Sequence, residues 1–538
     1  MKPAWRHVLG WGLAVVTTVL VLVNQHQVGI ARDEVVYMQN GARYAEWWLS
    51  LGKGGITKTF GGPGATDNNR EHPPFVKTLF GFSKKLLHDK LELADEVTAF
   101  RAPAAVLHGL CVLLVYYLAL ALWGSLEAIL AALLLMWLPR ALFHAGLACF
   151  DAPIMTLWFA TVYAYWRCLD GRKWPWQVGV MFGLALATKH TAVLLPFALG
   201  AHYLIVGARD RALGWRAVVL HRWRVILSLA VLGPLTLIAV WPWLWFDTIA
   251  HVREWLSFHM THVHYNYEYL GHNWNAPRFP WHVALVTTLY TVPVATLAGA
   301  AIGAGVWIVR RGKNPDHARS PVLLLALSAA ASMGPFFLGT TPIFGAEKHW
   351  MPMLPTLCIA AAVGIAWAAR ACVAALPTPA RLRNPLIAGV CGIAVGAAAV
   401  ETITAQPYAL TWYNALAGGA PGGADKGMNR QFWGVAARGV LPVLAREAPP
   451  PNAPAKPVYT HDASPAWGLY MKQGLLARTL PDAGWEASGI ERSQLALVIH
   501  ELHFNRHDYL IWKAYGTVQP WFVLRSDGVP IVSVYRRK

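Results

Sequence analysis

The sequence predicts an all-α polytopic membrane protein with about eleven transmembrane helices and a small α/β domain at its C-terminus. Of the 538 residues, 56% are hydrophobic and only 14% are charged, a balance that indicates burial in a bilayer. Several apolar runs approach the roughly 20 residues that cross a hydrocarbon core. The region after residue 405 differs, because short strand-like runs alternate there with linkers rich in proline and glycine.

The apolar runs define the predicted spans. The first run follows Lys2 and Arg6, and we interpret it as a retained anchor, since no small-residue cleavage site precedes Arg32. The predicted spans lie near residues 8–28, 102–122, 127–145, 152–166, 176–190, 191–207, 226–245, 281–309, 321–339, 350–369 and 385–404.

The basic residues indicate how these spans are oriented. With a cytoplasmic N-terminus, alternation places all four basic clusters on the cytoplasmic side and the C-terminus outside. A multi-pass protein of the inner or plasma membrane is therefore expected. The net charge of +18 does not indicate nucleic acid as a partner, because no basic face or base-stacking motif accompanies it. The clusters are Arg167, Arg172 and Lys173; Arg209, Arg211, Arg216, Arg222 and Arg224; Arg310, Arg311, Lys313 and Arg319; and Arg370, Arg381 and Arg383.

Three segments on the predicted outer side are too long to be turns. We divide the chain into a membrane domain, residues 1–405, and an extracytoplasmic domain, residues 406–538. The membrane domain carries two long outer loops, residues 29–101 and 246–280. Catalytic and binding residues concentrate on loops of a rigid scaffold, so function is expected there.

The first outer loop begins with Arg32, Asp33 and Glu34 where the first span leaves the bilayer. A carboxylate beside a low-dielectric boundary can act as a general base towards an attacking hydroxyl. Asp33 and Glu34 are therefore the candidate catalytic residues. Acidic residues also favour helix N-termini, so a helix cap is the alternative interpretation.

Four further segments place polar groups at the outer ends of spans. In the first, Pro73 and Pro74 stiffen the backbone after Glu71 and His72. Helix capping and anchoring at the membrane edge are alternatives for each segment. The segments are Glu71-His72-Pro73-Pro74, Asp151-Ala152-Pro153, Ala187-Thr188-Lys189-His190-Thr191, and Lys348-His349 through Pro355.

The second outer loop is rich in histidine and tyrosine. This density suggests phosphate contact or a divalent metal, although the spacing is no specific zinc signature. Interfacial aromatic residues are the alternative. The candidates are His259, His262, His264, Tyr267 and Tyr269.

Taken in their order along the chain, Arg32-Asp33-Glu34 and the four polar segments resemble the protein O-mannosyltransferase and lipid A aminoarabinose transferase families. These are membrane glycosyltransferases of the GT-C class, and the resemblance covers roughly residues 1–405. It implies a polyprenyl-phosphate-linked sugar as donor, an inverting transfer, and an acidic residue of the first outer loop as base. Asp33 matches that position.

The resemblance also implies which residues bind a metal, the donor phosphate and the substrate. In the aminoarabinose branch the residue matching Glu71 helps to hold a metal with later histidines, whereas the mannosyl branch requires none. No cofactor is therefore expected to be required, and a divalent metal is possible at Glu71, His262 and His264. The donor phosphate is expected at Arg32, His72, Lys189, Lys348 and His349, and the substrate pocket at Glu71, Asp151, His259, His264, Tyr267 and Tyr269.

The residues themselves also favour a lipid-linked donor. No Asp-x-Asp triplet, phosphate loop or long cytoplasmic loop offers a nucleotide sugar a binding site. The expected partners are the bilayer, a polyprenyl-phosphate-linked sugar and an unidentified acceptor hydroxyl. A multi-span transporter or flippase is the alternative function, but it would favour paired mid-membrane charges.

Overall fold

The computed structural model describes residues 3–51, 53, 55–60, 70–169, 175–209, 223–311, 321–503 and 506–537. Helices dominate the described residues up to residue 405. These helices are α1 Pro3–Asn24, α2 Arg32–Leu49, α3 Ile56–Phe60, α4 Phe75–Lys84, α5 Glu96–Leu122, α6 Ser125–Met136, α7 Pro139–Ala145, α8 Asp151–Arg167, α9 Trp176–Leu186, α10 Leu195–Arg209, α11 Trp223–Val240, α12 Thr248–Met260, α13 Val283–Thr291, α14 Val294–Arg311, α15 Pro321–Met333, α16 Leu354–Ala374 and α17 Ala380–Ala405.

Short turns of 3₁₀-helix connect several of these helices. Two of them, His190–Leu194 and Ala346–His349, carry residues that matter below. The others before residue 405 are Gln25–Gln27, Pro242–Trp245, Gly334–Phe337 and Met351–Met353, and a π-helical turn, Lys85–Lys90, follows α4.

Within the described ranges, five helices are long and apolar enough to cross a membrane. The bent pair α6 and α7, which turns by 68°, makes a sixth span if it is counted as one. Shorter apolar helices include α9, α14 and α15, and a multi-pass membrane protein follows. The count of eleven stays a prediction, and Arg172, Lys173, Arg211, Arg216, Arg222, Lys313 and Arg319 of the basic clusters lie outside the described residues.

The first outer loop is helical instead of extended. Its helices α2 and α4 cross in close contact at two glycines. A Cβ atom at Gly41 would lie 2.3 Å from the carbonyl oxygen of Lys77, and one at Gly81 would lie 1.9 Å from that of Gly41. Only glycine permits this approach, which brings the start of α2 and the segment before α4 to one place.

A buried ion pair fixes the start of this loop. The guanidinium of Arg101 on α5 donates to both carboxylate oxygens of Glu34, over 2.8 Å and 2.7 Å, and neither side chain is more than 2% exposed. Glu34 also accepts from the backbone N–H groups of Ala31 and Ala148, at 2.8 Å and 2.7 Å. Arg101 donates further to the carbonyl of Gly29 at 2.7 Å. The exit of α1, the start of α2 and the turn before α8 therefore share one electrostatic anchor.

The region after residue 405 contains a four-stranded mixed sheet of order β3-β4-β6-β5. Strand β3, Val458–Tyr459, pairs in parallel with β4, Leu495–Ile499. Strands β4 and β5, Phe522–Ser526, both pair antiparallel with β6, Val529–Arg536. The helices of this region are α18 Gly419–Asp425, α19 Leu441–Ala445, α20 Ser464–Lys472, α21 Ala487–Arg492 and α22 Arg506–Tyr515, and its 3₁₀ turns are Val435–Val440 and His461–Ala463. Strands β1, Tyr267–Tyr269, and β2, His272–Trp274, form a separate two-stranded hairpin in the second outer loop.

The C-terminal region packs directly on the first outer loop. One apolar cluster contains Ile30 and Val35 from that loop together with Trp467, Leu497 and Val532 from the C-terminal region. The hydroxyl of Tyr470 accepts from the backbone N–H of Ile30 at 2.8 Å. Because one apolar core is shared, the sheet is held against the first outer loop instead of being suspended on a linker.

Removing the charge of Glu34 should destabilise the protein strongly. Glu34→Gln leaves the buried Arg101 guanidinium without its counter-charge, which we expect to lower the free energy of unfolding by about 3–5 kcal/mol. Thermal unfolding in detergent measures this. The control is Glu46→Gln on the same helix, where the ion pair with Lys85 is exposed and is worth about 0–1 kcal/mol. Equal stability losses in the two variants would contradict the anchor.

The ends of α16 should lie on opposite faces of the membrane. The candidate span runs from Met351 to Ala374, 24 residues, or roughly 36 Å of helix. Cys372 near its far end is exposed, whereas the other five cysteines are buried. In sealed right-side-out vesicles, an impermeant maleimide should label the Trp485→Cys variant and leave the wild-type protein unlabelled. Once the vesicles are opened, the wild-type protein should be labelled at Cys372. Cys372→Ser should abolish that labelling. Labelling of Cys372 in sealed vesicles would invert the topology.

Candidate functional site

One cavity of about 770 Å³ lies between the first outer loop, the outer ends of the apolar helices and the C-terminal region. It brings together segments separated by more than four hundred positions. The sequence-predicted residues that line it are Arg32, Asp33, Glu71, His72, Asp151, Lys189, His259, His262, Tyr267, Lys348 and His349.

Three candidates lie elsewhere among the described side chains. Glu34 is fully buried in its pair with Arg101, so the prediction of a catalytic role for Glu34 conflicts with its structural position. His264 packs its ring 5.9 Å from that of Phe279, and Tyr269 bonds His282 at 2.6 Å. The composition of the loop could not separate lining from non-lining residues, because that difference depends on packing against distant parts of the chain.

Asp33 lies at the first turn of α2 and faces the cavity. Its side chain is 29% exposed, so it is accessible to a substrate. One carboxylate oxygen, Oδ2, accepts from the indole Nε1–H of Trp433 at 2.8 Å, and Oδ1 lies 3.4 Å from Nε of Arg32. A carboxylate held in this way can accept a proton from a bound hydroxyl.

Lys189 and Lys348 supply positive charge to the cavity. Lys189 donates to Oδ1 of Asp151 at 2.7 Å, and both side chains are buried. Lys348 is buried among aromatic rings, with Nζ 4.0 Å from the ring centroid of Trp433, and the described residues place no carboxylate within 4 Å of it. Burial lowers the pKa of Lys348, against which Asp151 and Asp33 act to raise it. Lys348 is thus positioned to attract an anion.

Behind these lysines, a buried row of charged and polar groups reaches the C-terminal region. His144 on α7 lies 3.8 Å from Oδ2 of Asp151 and 3.6 Å from Oε1 of Glu347. Glu347 accepts from Arg140 at 2.6 Å, and Arg140 donates to the carbonyl of Leu410 at 2.9 Å. These contacts hold Asp151, which pairs with Lys189, and Glu347, which lies in the same turn as Lys348.

Histidines form the third side of the cavity. The rings of His190 and His259 stack with centroids 3.6 Å apart, and Nε2 of His259 lies 3.0 Å from the carbonyl oxygen of Glu71. Burial lowers the pKa of His259 to about 4 and that of His72 well below its usual value. At neutral pH these rings are therefore neutral and act as hydrogen-bonding groups instead of cations.

The C-terminal region supplies lining residues that sequence reasoning missed. The side chain of Arg32 forms an ion pair with Asp462. Burial raises the pKa of Glu501, as does the neighbouring Asp462, whose own pKa is raised by burial. No local motif marks these positions, and their approach to Arg32 depends on long-range packing. Missed lining residues include Trp433, His461, Asp462, Trp485, Glu501 and His507.

The predicted metal ligands do not form one group. Glu71 and His262 line the cavity, whereas His264 does not. Over the part of the chain that the structure describes, no cluster of three or more His, Cys, Asp or Glu side chains is arranged to hold a metal ion. A divalent metal stays an untested prediction.

Comparison with known families identifies part of this site. Residues 71–245 match the model of the dolichyl-phosphate-mannose-protein mannosyltransferase family. This segment is a domain of that family. The mannosyltransferase-family domain contributes Glu71, His72, Asp151 and Lys189 to the cavity, whereas Asp33 precedes it in the chain. No curated protein matches the chain.

Solved structures of similar proteins include ArnT from Cupriavidus metallidurans, in the apo state and bound to undecaprenyl phosphate. Both are 16% identical over 99% of this chain and 98% of theirs, with TM-scores of 0.49 and 0.47. The archaeal oligosaccharyltransferase AglB from Archaeoglobus fulgidus, in complex with an inhibitory peptide and a dolichol-phosphate, is 11% identical over 95% of this chain and 71% of that chain, with a TM-score of 0.48.

The acidic pair should make stability depend on pH. Because the folded pKa of Glu501 is raised, its stabilising effect is complete below the ordinary value of 4.5 and is lost as the pH rises through the raised value. The Tm of the wild type should therefore fall between about pH 5 and about pH 8 more than that of Glu501→Gln, which is neutral throughout. The exposed Glu486→Gln is the matched control. Parallel pH curves for Glu501→Gln and wild type would contradict the raised pKa of Glu501.

Proposed function

We propose that the protein transfers a sugar from a polyprenyl-phosphate carrier to an acceptor hydroxyl on the outer face of the membrane, with inversion at the anomeric carbon. The observation that carries this proposal is that one cavity is lined by an accessible carboxylate, Asp33, and by two buried ammonium groups, those of Lys189 and Lys348. Such a transfer requires a general base for the acceptor hydroxyl and positive charge that stabilises the leaving phosphate.

Asp33 is the general base of the proposed reaction. A sugar or protein hydroxyl is a weak nucleophile until its proton is removed. Asp33 accepts that proton while the oxygen attacks the anomeric carbon from the side opposite the phosphate. The bond from carbon to phosphate oxygen breaks, its electron pair stays on the phosphate, and inversion results.

Lys348 and Lys189 bind the leaving phosphate. Negative charge grows on the phosphate oxygens as the glycosidic bond breaks, and fixed cations stabilise it. Lys189 already has Asp151 as its counter-ion, whereas Lys348 meets mainly aromatic faces, so Lys348 carries the larger share. Neutral His72 and His349 line the cavity beside them and offer ring N–H groups to the phosphate. With this charge supplied by the chain, the proposed reaction requires no metal.

A lipid-linked donor agrees with the surroundings of the cavity. The cavity lies at the ends of apolar helices, where a polyprenyl chain could remain in the bilayer while its phosphate enters. The mannosyltransferase-family match over residues 71–245 supports a polyprenyl-phosphate sugar of the mannose type as the first donor to test. The acceptor is a hydroxyl of a protein, a glycan or a lipid.

Asp33→Asn is expected to lower kcat by about 10² to 10⁴ while the protein stays folded and still binds donor. Purified protein in liposomes would be given radiolabelled polyprenyl-phosphate mannose with peptide, oligosaccharide and lipid acceptors, and released polyprenyl phosphate would be measured. Asp89→Asn is the matched control, because Asp89 is an exposed carboxylate of the same outer loop, paired with Lys84.

The outcomes separate the possible functions. Wild-type turnover with Asp33→Asn would remove Asp33 from the mechanism. Movement of intact donor across the bilayer by the wild type, without cleavage, would instead favour a flippase. Transfer by the wild type and by Asp89→Asn, but not by Asp33→Asn, supports the proposal.

A further inference from the structure

Trp433 connects the C-terminal region to both functional ends of the cavity. The residue is buried, with 3% of its surface exposed. Its indole N–H donates to Oδ2 of Asp33 at 2.8 Å, and its carbonyl accepts from the backbone N–H of Arg32 at 3.0 Å. The face of its ring lies 4.0 Å from the ammonium of Lys348. One side chain therefore contacts the proposed base and the proposed phosphate ligand together.

The backbone at this position is constrained to achieve that contact. Trp433 has a φ of +72°, a left-handed conformation that is uncommon for a residue with a bulky side chain. Gly434 follows with a φ of +72°, and a Cβ atom there would lie 2.7 Å from the carbonyl oxygen of Asp462. Such strain persists only where the surroundings dictate it, and it concentrates at functional sites.

We propose that Trp433 is a positioning residue of the transfer reaction. Trp433 orients the carboxylate of Asp33 towards the acceptor, and it keeps Lys348 from pairing with Asp33, so that Lys348 can bind the donor phosphate. This inference rests on the proposed function. It makes the C-terminal region a part of the catalytic site, although the chain places that region more than three hundred residues from the first loop.

The indole N–H leaves one oxygen of Asp33 for catalysis. Because Oδ2 is occupied by Trp433, the acceptor proton goes to Oδ1. Among the described residues, the hydrogen-bond partner of Oδ1 is Nε of Arg32, at the long distance of 3.4 Å. Removing this hydrogen bond would free the carboxylate of Asp33 to rotate, so its orientation towards the acceptor would change.

The indole ring keeps opposite charges apart. A direct ion pair between Asp33 and Lys348 would use the base and the phosphate ligand to neutralise each other. No such pair lies within 4 Å in the described structure, where the ring of Trp433 contacts both groups. An aromatic face stabilises the ammonium by its quadrupole without neutralising it, so the charge stays available for phosphate.

Two variants separate the two contacts. Trp433→Phe removes the N–H but keeps an aromatic face, so we expect kcat to fall about 10-fold, with a nearly unchanged KM for polyprenyl-phosphate mannose. Trp433→Leu removes the ring as well, and the KM for donor should then rise too.

The control is Trp467→Phe in the same C-terminal region. Trp467 is equally buried and donates its indole N–H to the carbonyl of Leu480 at 2.9 Å, away from the cavity. Trp467→Phe should change Tm but neither kcat nor the KM for donor. If Trp433→Phe does not fold, β-(3-benzothienyl)alanine incorporated at position 433 keeps the shape of the ring and removes only the N–H.

The inference also predicts non-additivity. In an Asp33→Asn background, Trp433→Phe should cause no further loss of kcat, because the group it positions is already gone. An unchanged kcat for Trp433→Phe, or additive losses, would overturn the inference and leave the proposed function standing if Asp33→Asn alone is inactive. Full activity of Asp33→Asn would reject the proposed base itself.

Discussion

The buried pair of Glu34 and Arg101 is the constraint on which the site depends. Two ionised groups with almost no exposure are tolerated only when each finds further hydrogen bonds, and here the partners belong to four different segments. Glu34 lies one residue after Asp33, so the pair fixes which way the first turn of α2 faces. The stability of the fold and the direction of the proposed base are therefore set by the same interaction.

An aromatic side chain contacts both members of one pair of opposite charges in the cavity, Asp33 and Lys348, whereas Lys189 and Asp151 form a direct ion pair. Asp462 and Glu501 line the cavity from the C-terminal region. The ring of Trp433 separates Lys348 from Asp33. This arrangement suits a reaction in which negative charge leaves the acceptor at one end and accumulates on a phosphate at the other. Without the separation, base and cation would neutralise each other in the empty protein.

The C-terminal region completes the site because its apolar core is continuous with that of the first outer loop. Ile30 and Val35 pack in one cluster with Trp467 and Val532, so the wall of the cavity cannot move far without exposing apolar surface. Arg32 adds polar contacts to Asp462 and to the carbonyl of Trp433. Such a rigid wall favours a preorganised site over one assembled only when substrate binds.

By itself, the sequence determined the membrane-embedded, mostly helical class, and it selected most of the polar residues that line the cavity. Long apolar runs and polar groups at their outer ends are local signals, so Asp33, Lys189 and Lys348 could be found from them. Only the tertiary structure placed Asp33 in the cavity and Glu34 in a buried ion pair, left His264 and Tyr269 out of the lining, and brought Trp433, Asp462 and Glu501 to the site. The direction of a side chain at a helix start and the approach of a distant domain depend on long-range packing, which leaves no periodic or local pattern in the chain.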